Sequence, residues 1–239
     1  MPGKVLLAAS HPPDQAVVKS EGADRAVLVN LGCPFFKSTE LGRVDFSKCR
    51  SSSSSSSRSQ QDLAAKIDQT HKLTIHIQNS SESLLREYVA LQGHPFEDPS
   101  FNYPITGFPG LPQPFPGSPN TWLKPGDPGR LQEDAMVFSN LPVFLATVKR
   151  QQAELNPSAK ELQHHLENAS LQCLGLASNL KSVMASLGIV PGPAVPPEPP
   201  EEDNGFYVKL VGCQICSLFK IWASRSREDL AHLAKKYPF

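Results

Sequence analysis

The chain has 239 residues, with 23 Lys plus Arg against 23 Asp plus Glu, so its formal net charge is zero. That balance argues against nucleic-acid binding by bulk charge and against a polybasic membrane anchor, both of which need a basic surplus. Charged residues at 19% and hydrophobic residues at 39% make a globular mixture sized for one or two domains. The 23 prolines and 15 glycines require part of the chain to be neither helix nor strand. No run approaches the ~18 apolar residues of a membrane span, so no membrane insertion is expected.

Residues 1–60 show no sustained helical or strand period. They contain the unbroken polyserine run Ser51 to Ser57, which reads as flexible linker, so 1–60 is expected to be a disordered Ser-rich extension. Val5-Leu6-Leu7-Ala8-Ala9 is too short for the apolar core of a secretory signal. The longer stretch from Ala26 to Phe36 comes late and is broken by Asn30.

A helical domain is expected over 61–239. Leu63, Ile67, Thr70, Thr74, Ile77, Ser81, Leu84, Tyr88 and Leu91 recur at alternating four- and three-residue steps, which predicts a first helix over 61–92. Gly93 and Pro95 end it, and a Pro/Gly-rich connection follows to about residue 130. Phe138, Leu141, Leu145, Val148 and Leu155 mark a second helix over 132–155. Pro142 lies inside it, so the helix either starts near Asn140 or kinks at the proline.

Asn156-Pro157 reads as an N-cap followed by a first helical residue, opening a third helix over 157–187. Leu162, Leu166, Ala169, Cys173, Leu176, Leu180, Val183 and Leu187 give it the cleanest stripe in the chain, and Gly188 ends it. A second proline-rich connection leads to a fourth helix over 205–236, with Val208, Val211, Ile215, Leu218 and Trp222 on one side. The stripe then slips to Leu230, Leu233 and Tyr237.

The connections therefore run long, short, long. The short one forces the second and third helices antiparallel. A connection of about 18 residues reaches ~60 Å when extended, more than the ~45 Å of a thirty-residue helix. An up-down-up-down bundle would not need such lengths. The expected fold is all-α, a long-chain up-up-down-down four-helix bundle. A bundle with disordered insertions in its loops is the plainer alternative.

The five cysteines, Cys33, Cys49, Cys173, Cys213 and Cys216, are odd in number and irregularly spaced, which is not a disulfide framework. Cys213-x-x-Cys216 lacks the second ligand pair a zinc site needs and reads as structural. Glu161-x-x-His164 and Asp229-x-x-His232 have the spacing of di-iron ligands. However, Glu161 and His164 lie off the Leu162 stripe, and the stripe itself offers no inward carboxylate. No phosphate-binding, nucleophile-elbow or zinc-protease motif is present. No enzyme, metal or cofactor is expected.

Three segments resemble a known family. Leu84-Leu85-Arg86-Glu87-Tyr88-Val89-Ala90-Leu91-Gln92-Gly93-His94-Pro95-Phe96 is similar to the end of the first helix of the cardiotrophins. Arg150-Gln151-Gln152-Ala153-Glu154-Leu155-Asn156-Pro157 is similar to the end of their second helix, and Phe206 to Trp222 to the start of their fourth. The likeness runs from about residue 61 to 236 and places the chain near the cardiotrophin group of the interleukin-6 family. It implies a secreted cytokine that brings together glycoprotein 130 and the leukemia inhibitory factor receptor to activate JAK/STAT signalling. An obvious signal peptide is also lacking in cardiotrophins, so its absence here is no objection. A third, non-signalling receptor, of the kind ciliary neurotrophic factor recruits, is a further partner the resemblance allows. A cytosolic helical scaffold is the alternative reading, consistent with free cysteines.

The family contacts the leukemia inhibitory factor receptor through an F-x-x-K motif, which here is Phe206-Tyr207-Val208-Lys209. Helical phase supports the assignment. With Val208 in the core, Lys209 lies about 100° and Phe206 about 160° away, so both point off the apolar stripe. An exposed ring beside a cation suits a binding hot spot. The competing reading folds Phe206 under the preceding loop as a staple. The family's glycoprotein 130 contact uses the first and third helices, and on the first helix the polar-face candidates are Lys66, Gln69, Lys72, His76 and Arg86. Asn79-Ser80-Ser81 and Asn168-Ala169-Ser170 are glycosylation sequons, each expected to face outward near that contact.

Overall fold

Residues 54–114, 119–122 and 124–238 are described in the computed structural model. They form four long helices and one short one: α1 (Ser54–Gln92), α2 (Pro119–Trp122), α3 (Gly126–Leu155), α4 (Lys160–Ser186) and α5 (Gly205–Lys236). No β-strand occurs among the described residues, only an isolated bridge between Phe108 and Leu111.

Three boundaries differ from the sequence expectation. First, α1 begins at Ser54 rather than 61, so the last serines of the polyserine run are helical. Serine is only mildly unfavourable in a helix, and no Pro or Gly interrupts 54–60. The remainder of the expected extension, 1–53, lies outside the described residues. Second, α3 begins at Gly126, where the glycine has φ 73°, and Pro142 sits well inside the helix. Third, α4 begins at Lys160, because Asn156 closes α3 instead of opening α4. The Asn156 N–H donates to the Gln152 carbonyl at 2.9 Å, and its Nδ2 donates to Gln152 Oε1 at 2.8 Å. The stops at Gly93 and Gly188 stand as expected, with left-handed φ of 70° and 69°.

Side-chain pairs fix the direction of the four long helices. Lys209, early in α5, bonds the Gln92 carbonyl at the end of α1. Lys66, early in α1, reaches Ser186 at the end of α4, and Glu87, late in α1, meets His165 early in α4. Lys149, late in α3, pairs with Glu167 early in α4, while Asp134, early in α3, meets Ser226 late in α5. Helices α4 and α5 thus each run antiparallel to both α1 and α3. That is the up-up-down-down arrangement, with the two parallel pairs on the diagonals.

The long connections lie along helices rather than looping free. In the first, Phe96 stacks on Phe206, Pro104 O accepts from Gln214 Nε2, Tyr103 Oη bonds Ser217 Oγ, and Pro112 O accepts from Trp222 Nε1 at 2.8 Å. It therefore climbs α5 from one end toward the other. The second long connection follows α3, with Val190 O on Gln132 Nε2 and Val195 O on Asn140 Nδ2.

Covering by the first connection explains why α5 is buried on nearly every side. Residues Val211 to Phe219 are buried without a break. The five-residue stripe read from sequence underestimates this. By length and composition α5 is apolar enough to cross a membrane, yet 67% of its most apolar window is buried inside the bundle.

The core takes up nearly the whole predicted stripe set, with Ile67, Ile77, Tyr88, Phe138, Leu141, Leu162, Leu166, Cys173, Leu180 and Trp222 all at 0% exposure. Leu91 and Leu155 fall outside it, at 40% and 36% exposed. The polar members of the α1 stripe are satisfied locally. Thr70, Thr74 and Ser81 donate to carbonyls three or four residues back at 2.6 to 2.7 Å, which removes the cost of burying a lone hydroxyl.

Candidate functional site

Phe206 opens α5, where Asn204 caps the helix by accepting the Phe206 N–H on its Oδ1 at 2.9 Å. The Phe206 ring lies 5.4 Å from Phe96, which is buried just past the end of α1 and meets Phe101 edge-on at 5.3 Å. Tyr207 stands against Phe206 at 5.6 Å with an interplanar angle of 81°. Phe206 and Tyr207 remain 44% and 52% exposed. The result is an aromatic platform at one end of the bundle, in which Phe206 rests on Phe96 and Phe96 on Phe101. Phe206 thus leans on the first connection and is not folded under the loop before α5.

Lys209 differs from its expected setting. It is half-buried, and its Nζ donates at 2.8 Å to the carbonyl of Gln92, the last residue of α1. That carbonyl has no intrahelical partner, and a positive charge there complements the helix dipole. The Lys209 backbone carbonyl accepts from Tyr88 Oη at 3.3 Å, and Tyr88 Oη accepts from Gln152 Nε2 at 3.1 Å. Lys209 is therefore wired into a buried polar network and does not stand outward as a free charge. Tyr207 was missed in the sequence, although the phase argument that selected Phe206 also places its neighbour off the Val208 stripe.

The polar-face candidates of α1 spread over an arc of about 160°. Lys66 reaches Ser186 Oγ at 2.9 Å, and His76 Nε2 lies 3.3 Å from Gln172 Nε2, so both look toward α4. Gln69, Lys72 and Arg86 are exposed. Lys72 pairs with Asp68 at 2.7 Å and Arg86 bonds Ser83, both within α1. On α4, Leu171 and Leu174 are 61% and 51% exposed, beside Gly175, where a side chain would meet open space. Their signal was present in the sequence as two leucines three residues apart and off the Cys173 stripe. Between α1 and α4 a groove of about 350 Å³ is lined by His76, Asn79, Ser83, His165, Asn168 and Gln172.

The remaining chemical candidates have structural surroundings. Cys173, Cys213 and Cys216 are free and buried, and burial pushes each thiol up, Cys213 to about 12. Glu161, His164 and His232 are exposed, whereas Asp229 is buried and bonds Arg130 at 2.7 Å. Among the described residues no group of three His, Cys, Asp or Glu is placed to hold a metal ion.

Around Asp229, an ionic cluster ties the start of α3 to the end of α5. Arg225 pairs with Glu133 at 2.7 Å, Asp134 accepts from Ser226 at 2.6 Å, and Lys236 pairs with Asp127 at 2.6 Å. Burial pushes the Asp229 carboxyl up to about 6 against the opposing pull of Arg130 and Arg225. Burial, and then the charge of Asp229, drives Asp134 well above the usual carboxylate range.

Four helices running up-up-down-down, with both long connections packed along the bundle and separate exposed surfaces at its end and on its α1–α4 side, define a long-chain four-helix cytokine. Comparison with known proteins agrees. The family described as Plethodontid receptivity factor PRF matches residues 52–238. Cardiotrophin-1 of Homo sapiens is 38% identical over 179 residues, covering 72% of this chain and 86% of that protein. Cardiotrophin-1 of Mus musculus is 38% identical over 181 residues with the same coverage, and cardiotrophin-2 of Mus musculus is 32% identical over 180 residues, covering 72% and 84%. The chain belongs to the cardiotrophin family, within the interleukin-6 group of cytokines. Its partners as a class are cytokine receptors, and its family is one of ligands rather than enzymes.

Proposed function

We propose that the chain is a secreted cytokine that brings glycoprotein 130 and the leukemia inhibitory factor receptor together, so that the kinases bound to them activate JAK/STAT signalling. The observation that carries this reading is the aromatic platform at the start of α5. Phe206 and Tyr207 are about half exposed although each is a large aromatic side chain, and Phe206 rests on Phe96, which is braced in turn by Phe101. A rigid, pre-supported aromatic pair at a bundle end has the properties of a binding hot spot, because little side-chain entropy is lost on docking. In this reading Phe206 meets the leukemia inhibitory factor receptor, and Lys209 positions it by clasping α5 to α1. The exposed α1 residues, chiefly Lys72 and Arg86, join Leu171 and Leu174 of α4 to receive glycoprotein 130. Two separate surfaces on one rigid body make the second receptor's binding effectively intramolecular once the first is held on the same membrane.

The test is surface binding of the purified chain to the two immobilised ectodomains, singly and mixed. The reading expects both to bind, with slower dissociation from the mixed surface. Binding to neither would overturn it, and retention of the chain in cell lysate with none in the medium would point to a cytosolic scaffold.

A further inference from the structure

We propose that Asn79 and Asn168 are acceptors of N-linked oligosaccharide, and that a glycan on either one stands over the α1–α4 groove and closes that face to a protein partner. The regulatory half of this inference rests on the reading above, in which the face receives glycoprotein 130.

The two sequons lie on different helices, yet the fold brings both asparagines to one groove of about 350 Å³. Asn79 is exposed and Asn168 half-buried. Among the described residues neither side-chain amide has a hydrogen-bond partner. By contrast, Asn140 bonds the Gly110 and Val195 carbonyls, Asn156 bonds Gln152, and Asn204 caps α5. The groove walls are polar: Gln172 bonds both His76 and Ser80, His165 bonds Glu87 and Ser83 accepts from Arg86, so a sugar meets a hydrogen-bonded rather than an apolar surface.

The hydroxyls of the two sequons are engaged in the folded state. Ser81 Oγ donates to Gln78 O at 2.7 Å and Ser170 Oγ to Leu166 O at 3.0 Å. Transfer therefore precedes helix packing, and the fold has only to accommodate the product. In the transfer, asparagine Nδ2 bonds to C1 of the reducing sugar of a polyprenyl-pyrophosphate-linked oligosaccharide. The C1–O bond to pyrophosphate breaks, the pyrophosphate leaves with the bonding pair, and the amide nitrogen gives up one proton to a base of the host transferase. The product is a bulky, solvated group fixed between α1 and α4.

The experiment secretes the full chain from mammalian cells behind an added leader, alongside Asn79→Gln and Ser170→Ala, which each remove one sequon. Occupancy is read by peptide mass spectrometry after glycosidase release. Cover of the groove is read as the carbethoxylation rate of His76, before and after release. Glycoprotein 130 binding is then compared for the two forms. The expected result is occupancy at both sites, a His76 rate several-fold slower with the glycan, and glycoprotein 130 binding at least tenfold weaker until release. Binding to the leukemia inhibitory factor receptor is expected to stay unchanged. Bare asparagines would overturn the proposal, as would full occupancy with an unchanged His76 rate. Occupancy and a slowed His76, with no glycoprotein 130 binding by either form, would leave the glycan site standing and overturn the receptor assignment of the face.

Discussion

The ammonium of Lys209, from the first turns of α5, donates at 2.8 Å to the carbonyl oxygen of Gln92, the last residue of α1. Two helices far apart in sequence are thereby joined at the end of the bundle where Phe206 and Phe96 stack. The charge satisfies an orphan helix carbonyl and complements the dipole of α1. Lys209→Ala is expected to lower stability by about 1–2 kcal/mol, the range for a hydrogen bond to a charged group with some solvent access. Lys209→Arg is expected to keep part of it. Urea midpoints of the three proteins measure this, and equal midpoints would contradict the clasp.

Close approach of α1 and α5 depends on Gly212. A Cβ placed there would fall 1.9 Å from Tyr88 Oη and 2.5 Å from Tyr88 Cζ. Tyr88 is fully buried and held by Gln152, so it has nowhere to yield. Gly212→Ala should destabilise the bundle by about 1–3 kcal/mol through overpacking. Tyr88→Phe in the same chain should return part of that loss, because the nearest clashing atom is the hydroxyl. Chemical denaturation of the single and double variants forms the cycle.

Asp134 and Asp229 give the fold a pH dependence of definite sign. Both carboxyls are raised above their unfolded values, chiefly by burial, Asp229 to about 6. A raised carboxyl contributes stability that is fully present below the unfolded value of about 4 and is lost as pH rises through the folded value. Asp134→Asn keeps an oxygen for Ser226 Oγ but cannot ionise. Its midpoint should exceed that of the parent at pH 7 and converge with it near pH ~4. A constant difference across that window would contradict the assignment.

Thiol reactivity follows from burial. Cys173, Cys213 and Cys216 are pushed toward their neutral form and lie inside the core. Alkylation mapped by mass spectrometry should leave these three unmodified in the native chain and label them only as it unfolds. Modification of Cys213 or Cys216 under native conditions would show that α5 opens locally, and modification of Cys173 that α4 does.

The third sequence stripe was legible because burial in an antiparallel bundle imposes a 3.6-residue period, and Leu162 through Val183 obey it. The topology was legible from connection length alone, since long connections are needed only to return along a bundle. What the sequence hid was tertiary. Asn156 has the composition of a helix start, but the Gln152 carbonyl and amide oxygen capture its donors and it closes α3 instead. The full burial of α5 arises from Phe96, Tyr103 and Pro112 of a connection that has no period of its own. At the site, phase placed Phe206 outward correctly. It could not show that Lys209 finds the end of another helix, because that partner is set by the packing of α1 on α5.

The clasp makes Lys209 an ambiguous probe of binding, since its removal disturbs the fold as well as the surface. Phe206 is the cleaner one, being 44% exposed and carrying no polar side-chain group to tie one helix to another. The most direct measurement is binding of Phe206→Ala, checked for an unchanged circular dichroism spectrum, to the immobilised ectodomains of both receptors. The account predicts a loss of at least tenfold for the leukemia inhibitory factor receptor with glycoprotein 130 binding retained. Undiminished binding to the leukemia inhibitory factor receptor would contradict it.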